Sequence, residues 1–377
     1  ALGPAGGRTL PRRSLGSLHI APMMDYTDRH FRWMMRRISG DLVLWTEMVK
    51  DTAVVRNVDS PKCLAQLLDM SCPETEPPVV LQLGGSDPAF LGEATRIAQP
   101  WGYNEVNLNC GCPSPKTAKV RDGSGFGAQL MASPALVRDC VAAIADAAGP
   151  GMEVSVKCRI GTHPTMTDLD QHGDDYGCFS AFVDTVASGG RIRHFVVHAR
   201  SGILSGLSPR ANRRLPPLRH DFVHRLAAER PGLSVTLNGG IGTHEEVALH
   251  RRHGVDVMVG RWAVRAPWDF ASAEAAERGR GALVAAYLEY CCGELTTGRE
   301  WSLSRLAKPL IPLFNGVARN HRYREVLQGL MQNPRDGGSG RFHEVVSAAL
   351  AALPDEALHG ADASLSRPCN GGERLLS

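Results

Sequence analysis

A closed (β/α)8 TIM barrel followed by a small C-terminal helical bundle is the fold this sequence predicts, and three observations predict it. Eight short apolar runs, rich in β-branched residues, recur between Leu18 and Val259 with helix-sized segments between them, the pattern of buried parallel strands joined by crossover helices. Polar, reactive or flexible residues follow every run, at the carboxyl ends where barrel enzymes build their sites from βα loops. Beyond Trp268 the strand pattern stops and amphipathic helical spacing replaces it.

The first run, residues 18–21, leads into Pro22-Met23-Met24, and the second, 42–45, leads to Glu47. The third, 79–83, carries Gln82 within it, and the fourth, 105–108, opens into Asn109, Cys112 and Pro113, then a glycine-rich loop through Gly123, Gly125 and Gly127. The fifth, 154–157, ends on Lys157 with Arg159 just beyond, and the sixth, 194–197, on His198. The seventh, 235–237, is followed by Asn238-Gly239-Gly240 and the eighth, 256–259, by Gly260-Arg261. Helices are expected over 282–294, 303–319, 323–332 and 342–353, separated by Gly- and Pro-bearing turns. The expected organisation is a flexible segment over 1–17, the barrel over 18–275, a helical domain over 280–353 and a disordered tail over 354–377.

Asn107-Leu108-Asn109-Cys110-Gly111-Cys112-Pro113 places a thiol and two amides where a strand breaks into a loop; Pro113 stops simple continuation of strand or helix. Alone, such a cysteine also reads as a small buried residue at a tight turn. The glycines after the seventh and eighth strands put backbone amides beside Arg261, an arrangement that commonly cradles a phosphate, though each glycine pair also reads as a sharp turn. No G-x-G-x-x-G follows a strand and opens a helix, so the phosphate belongs to a mononucleotide such as FMN rather than to a dinucleotide. Lys157 is costly inside a closed barrel without a ligand or counter-charge, and a fixed ammonium near flavin N1 and O2 would stabilise the reduced ring. By itself it also reads as a rim residue in a surface pair. Gln82 can bond the ring edge through donor and acceptor alike.

Taken in order, Ala21 through Asp28, Gln82-Leu83-Gly84-Gly85, Asn107 through Pro113, Val156 through Gly161, His198-Ala199-Arg200, Asn238 through Ile241 and Val257 through Arg261 resemble the motif series of the tRNA-dihydrouridine synthases. The stretch from Leu204 to Pro209, with Asn212-Arg213, is similar to the loop after the sixth strand in the A-type branch. The resemblance implies an enzyme with tightly bound FMN that uses NADPH to reduce the 5,6 double bond of uridine in the tRNA D-loop, with the 20/20a site favoured. It makes Cys112 the proton donor to uracil C5, and Asn109 and Arg159 the residues that hold the flipped uracil. Pro22, Met23, Met24, Gln82, Lys157, His198, Asn238, Gly239, Gly240, Gly260 and Arg261 match flavin positions; Arg210, Arg213, Arg305 and Lys308 match contacts to the tRNA D-loop and elbow. Uridine inside folded RNA has to be extruded to be reached, which agrees with this chemistry. Two departures stand out: residues 115–123, with Lys116, Lys119 and Arg121, form a longer loop than the family's usual one, and Gln129 stands where A-type members usually carry a second cysteine.

The 377 residues are 43% hydrophobic, enough for a large barrel and a smaller second domain. The net charge of +3 hides two basic clusters: seven arginines from Arg200 to Arg230 against Asp221 and Glu229, and nine Lys or Arg from Arg280 to Arg341 against five acids. Both are candidate RNA surfaces, the second also readable as solvated helix faces. No apolar run reaches the about eighteen residues of a membrane span, so a soluble chain, and a monomer, is expected. Ten cysteines without a C-x-x-C pair suggest reduced thiols and no metal site. Residues 1–16 are rich in Gly, Pro and Arg and lack acids, which fits either a cytoplasmic chain or the remnant of an organellar (plastid or mitochondrial) transit peptide. Two other functions keep part of this pattern: an FMN barrel reductase of a free pyrimidine, which has no use for a basic loop and helical domain, and an inactive RNA-binding barrel protein, which has no need of an intact thiol, lysine and phosphate loops.

Overall fold

The computed structural model describes residues 16–70, 78–114, 117, 125–149, 151–296, 301–332 and 338–359. Eight parallel strands close into a barrel: β1 (Leu18–Ile20), β2 (Leu42–Lys50), β3 (Val79–Gly84), β4 (Glu105–Cys110), β5 (Glu153–Arg159), β6 (His194–His198), β7 (Ser234–Asn238) and β8 (Asp256–Val259). Neighbours in sequence are neighbours in space, and Ile20 pairing with Val259 closes the ring. All eight expected strands are present, several of them longer than the apolar runs. β2 runs on to Lys50 through an irregularity between Trp45 and Met48, so Glu47 lies within the strand rather than after it; a bulge interrupts the alternation that marks a strand. β4 reaches Cys110 and so includes Asn109. A two-stranded parallel sheet of Thr162–His163 with Gly202–Ile203 links the loops after β5 and β6. Two-residue strands carry no readable period.

The strand period of two decides what fills the barrel. Along β4, Glu105, Asn107 and Asn109 alternate with Val106, Leu108 and Cys110, and all six are buried. Part of the interior is an apolar cluster of Ala21, Val43, Trp45, Val80, Val196 and Met258. Buried polar side chains, among them His19, Asn107, Ser155, His194 and Thr236, are held by hydrogen bonds to one another and to Trp45 and Glu105.

The chain divides into two compact units: residues 1–25 with 42–260, which hold the barrel, and residues 26–41 with 261–377. The second unit contains the helix Arg29–Ile38, capped by the Asp28 side chain accepting from Phe31 N–H, and the helix Ala273–Thr296, kinked at Gly279, whose φ of 81° suits glycine. The helices Leu303–Ala307, Asn320–Gln332 and Gly338–Leu350 follow, then a 3-10 turn, Asp355–Ala357. Its core includes Tyr287, whose hydroxyl donates to Leu306 O at 2.7 Å, and Trp33 stacked on Tyr290 at 4.7 Å. The helix expected over 303–319 ends at Ala307, and turns follow. Pro309 and Pro312 supply no N–H and clash with the preceding turn, which overrides the amphipathic spacing there. Residues 1–15 of the expected flexible start (1–17), most of the long loop with Lys116, Lys119 and Arg121, and residues 360–377 of the expected disordered tail (354–377) lie outside the described residues; the first part of that tail instead holds the turn Asp355–Ala357.

Candidate active site at the carboxyl ends of the strands

Cys112 stands two residues beyond β4, and its loop is fixed by a side chain from that strand. Asn109 Oδ1 accepts the Gly111 N–H at 3.1 Å and the Cys112 N–H at 3.0 Å. On the far side of the loop, Ala128 N–H donates to Cys112 O at 2.9 Å. Gly127 beside it has a φ of +78°, and a Cβ there would lie 2.5 Å from Cys112 O, so only glycine lets the two segments approach this closely. Cys112 is part-exposed, whereas burial pushes the Cys110 thiol well up and the Cys158 thiol to about 12. Of these three, the thiol open to a ligand is Cys112.

Lys157 on β5 donates to Asn238 Oδ1 at 3.0 Å, and Asn238 in turn donates to Met258 O at 2.9 Å. No carboxylate pairs with Lys157 among the described residues. Burial, then neighbouring Arg159, lower its pKa to about 8, as expected for a half-buried ammonium without a counter-charge. Burial and the same two cations hold His198 well below the usual histidine range, so it is neutral. Its Nδ1 is buried with no hydrogen-bond partner in the described structure, and such an atom calls for a ligand. Gly239 (φ +113°) and Gly240 (φ +81°) follow β7; a Cβ on Gly239 would meet His198 Cε1 at 3.2 Å, and one on Gly240 would meet Leu218 Cδ1 at 2.5 Å. Pro22, Met23 and Met24 follow β1, Met24 being exposed, and a Cβ on Gly260 would touch Ala21 Cβ and Met23 Sδ at 3.4 Å each. Cation, neutral imidazole and open backbone thus converge at the ends of β5, β6 and β7. Arg261 opens the helix Arg261–Arg265 directly after Gly260 in the chain.

Gln82 and Asn109 are hydrogen-bonded to each other, Asn109 Nδ2 to Gln82 Oε1 at 2.9 Å. Arg159 is held by backbone carbonyls: Nε donates to Gly111 O at 2.9 Å, and Nη1 to Ser201 O at 2.9 Å and Asn212 O at 3.2 Å. The guanidinium therefore ties the Cys112 loop to the segments after β6. Asn212 was not singled out as a site residue from sequence, yet its amide both donates to Ile203 O (2.9 Å) and accepts from Ile203 N (2.8 Å), copying a strand pairing. That anchor leaves Arg210 and Arg213 on either side of it exposed, with no carboxylate partner among the described residues. In the second unit, Arg305 Nε meets Asp28 Oδ2 at 3.0 Å and lies over Trp301 at 5.2 Å, while Lys308, just past the helix end, lies over Tyr26 at 4.6 Å. Lys308, Tyr26, Arg265 and Arg324 line a cavity of about 450 Å³ within that unit.

A parallel barrel that gathers a part-exposed thiol, a half-buried lysine without a carboxylate partner and left-handed glycines at one end of its strands has the layout of an enzyme of the βα-loop type. Residues 19–333 match the family model described as dihydrouridine synthase (Dus). The chain is 42% identical to the tRNA-dihydrouridine(20/20a) synthase of Xanthomonas campestris pv. campestris over 90% of its own length and 94% of that protein's. It is 40% identical to the protein of that name from Synechocystis sp. (83% and 89% covered), and 38% identical to that from Escherichia coli K12 (83% and 86%). The chain belongs to the dihydrouridine synthase family.

Proposed function

We propose that this protein is a flavin-dependent tRNA-dihydrouridine synthase that reduces the 5,6 double bond of a D-loop uridine, at the 20/20a site borne in its relatives' names, with NADPH as reductant. The observation that carries the reading is Cys112 held by Asn109 on the same strand ends as Lys157 and His198. The residues fit FMN: Lys157 has no carboxylate partner and suits an oxygen-rich anionic one, the buried His198 Nδ1 has no partner in the described structure, and at Gly239 and Gly240 the absence of a side chain would let backbone approach a phosphate. Pro22, Met23, Met24, Gln82, Asn238, Gly260 and Arg261 complete that set. When bound, FMN supplies the hydride for uracil C6. Cys112 delivers its thiol proton to C5 on the saturating carbon pair, and its loop keeps Sγ in place through the Asn109 bonds. Arg159 holds the loop closed through Gly111 O, and its remaining nitrogen, Nη2, with the Asn109 amide would be the groups that hold the uracil.

Purified protein should be yellow, and denaturation should release one flavin per chain; correctly folded protein that stays colourless and takes up no FMN would remove this reading. Dihydrouridine mapped across tRNA from cells lacking and regaining the gene fixes the position, and reduction of free uracil in preference to tRNA would point to a free-pyrimidine reductase instead. For the tRNA contacts, Arg210→Ala with Arg213→Ala should weaken tRNA binding and lower the log–log salt slope by roughly 0.7–0.9 per lost phosphate contact, with NADPH oxidation and Tm unchanged. Arg305→Ala should lower Tm as well, because it strips Asp28, the cap of the helix Arg29–Ile38, of its cation. Equal Tm values for the two variants would show that the Arg305 pair has no structural part.

A further inference from the structure

We propose that Glu105, Asn107 and Ser155 are positioning residues for Cys112, acting through a one-way chain of hydrogen bonds that ends on the Gly111 and Cys112 amides. The inference rests on Cys112 being the proton donor of the reaction above. The chain starts at the foot of the barrel, where Ser155 donates its hydroxyl proton to Glu105 Oε1. With that proton committed, Ser155 Oγ accepts from Asn107 Nδ2 at 2.7 Å. Asn107 Oδ1 then accepts from Gln82 Nε2 at 2.9 Å, and Gln82 Oε1 from Asn109 Nδ2 at 2.9 Å. Asn109 is left presenting Oδ1 to the loop, where it takes the two N–H groups at 3.1 and 3.0 Å.

The direction of this chain comes from its two ends. A carboxylate only accepts, and a backbone N–H only donates; each of the four side chains between them can do both, and each carboxamide could be turned over. Glu105 therefore sets the orientation of Asn107, Gln82 and Asn109 from a distance, without touching substrate or cofactor. Asn107 and Ser155 have no exposed surface, so water cannot substitute for a missing link. The Glu105 carboxylate is itself held from the other side by His194, whose Nδ1 lies 3.1 Å from Oε1 while Nε2 meets Thr236 Oγ1 at 2.8 Å. Replacing Glu105 by an amide removes the acceptor-only end. The chain can then run in reverse, which turns Asn109 Nδ2 toward two N–H donors and releases the loop.

The test compares Glu105→Gln, Ser155→Ala, Ser155→Thr and a control, Val106→Ala, whose side chain is on the opposite face of β4. Two readouts are needed: residue-resolved hydrogen exchange at the Gly111 and Cys112 amides, and single-turnover rates of flavin reduction by NADPH and of uridine reduction in tRNA. Glu105→Gln and Ser155→Ala should speed exchange at those two amides by about tenfold or more and slow the tRNA step more than the NADPH step, since a small misplacement of a reacting group is costly. Ser155→Thr, which keeps the hydroxyl, should restore both. Val106→Ala should lower Tm without either effect. If Glu105→Gln fails to fold, the Ser155 pair carries the comparison alone. Wild-type exchange at Gly111 and Cys112 in folded Ser155→Ala, or failure of Ser155→Thr to restore it, or the same change in Val106→Ala, overturns the proposal. Absence of dihydrouridine formation by the wild type would instead count against the function, since the exchange readout needs no turnover.

Discussion

Cys112→Ala should still let NADPH bleach the flavin, while transfer to tRNA falls by roughly 10²–10⁴, the loss typical of removing a positioned acid. The separation follows from where the groups stand. The thiol is on a loop beyond β4, held by Asn109 and Ala128 through backbone atoms, so shortening the side chain leaves that scaffold intact. Lys157, His198, Gly239 and Gly240 make none of their hydrogen bonds through Cys112. Cys110→Ala should differ in kind: its thiol is buried and pushed well up, so the variant should lower Tm by the loss of packing and leave the tRNA step near wild type. Stopped-flow absorbance for the first half-reaction and dihydrouridine quantified by mass spectrometry for the second separate the cases. Equal loss of both half-reactions in Cys112→Ala would mean a flavin or folding defect, and near-normal tRNA reduction would remove the thiol from the mechanism.

Most of this arrangement is legible in the sequence because barrel strands are short, apolar and terminated by the residues that matter. Lys157, His198 and Asn238-Gly239-Gly240 could be placed at strand ends by counting alone. What could not be read was which partner each polar group takes. Arg159 reads as a substrate residue, yet two of its nitrogens are committed to the carbonyls of Gly111, Ser201 and Asn212, and carbonyls leave no trace in a sequence. Glu105, Asn107 and Asn109 did leave one. Their i, i+2, i+4 spacing puts three polar side chains on one face of a buried strand, a conflict with burial that only a hydrogen-bonded network resolves. The expected long helix after Leu303 failed for the opposite reason: two prolines overrule the apolar spacing.

Lys157→Met should produce protein that loses flavin on dilution and whose remaining flavin is reduced by NADPH about a hundredfold more slowly, a loss of the size seen when one preorganised donor is removed. Methionine nearly matches the aliphatic stem in volume, so what disappears is chiefly the charge. In the folded protein burial and Arg159 bring the lysine pKa from 10.5 to about 8, a penalty of roughly 3 kcal/mol on the charged form by the usual conversion. The folded chain without ligand therefore releases this proton near pH 8 and the unfolded chain only near 10.5. Between those values the unfolded state binds more protons, and stability rises with pH; Lys157→Met should abolish that rise. Flavin binding has the opposite pH dependence, because an anionic partner favours the ammonium. Flavin affinity and the rate of flavin reduction should then decline as the pH passes the lysine's pKa, which the bound anion lifts above its ligand-free position, and the decline should be missing from Lys157→Met. Urea denaturation of the flavin-free protein and stopped-flow reduction of the loaded one, each from pH 6 to 10.5, test the two slopes separately. A wild-type reduction rate flat across that range, or a Lys157→Met profile that keeps the wild-type decline, would show that some other group supplies the charge.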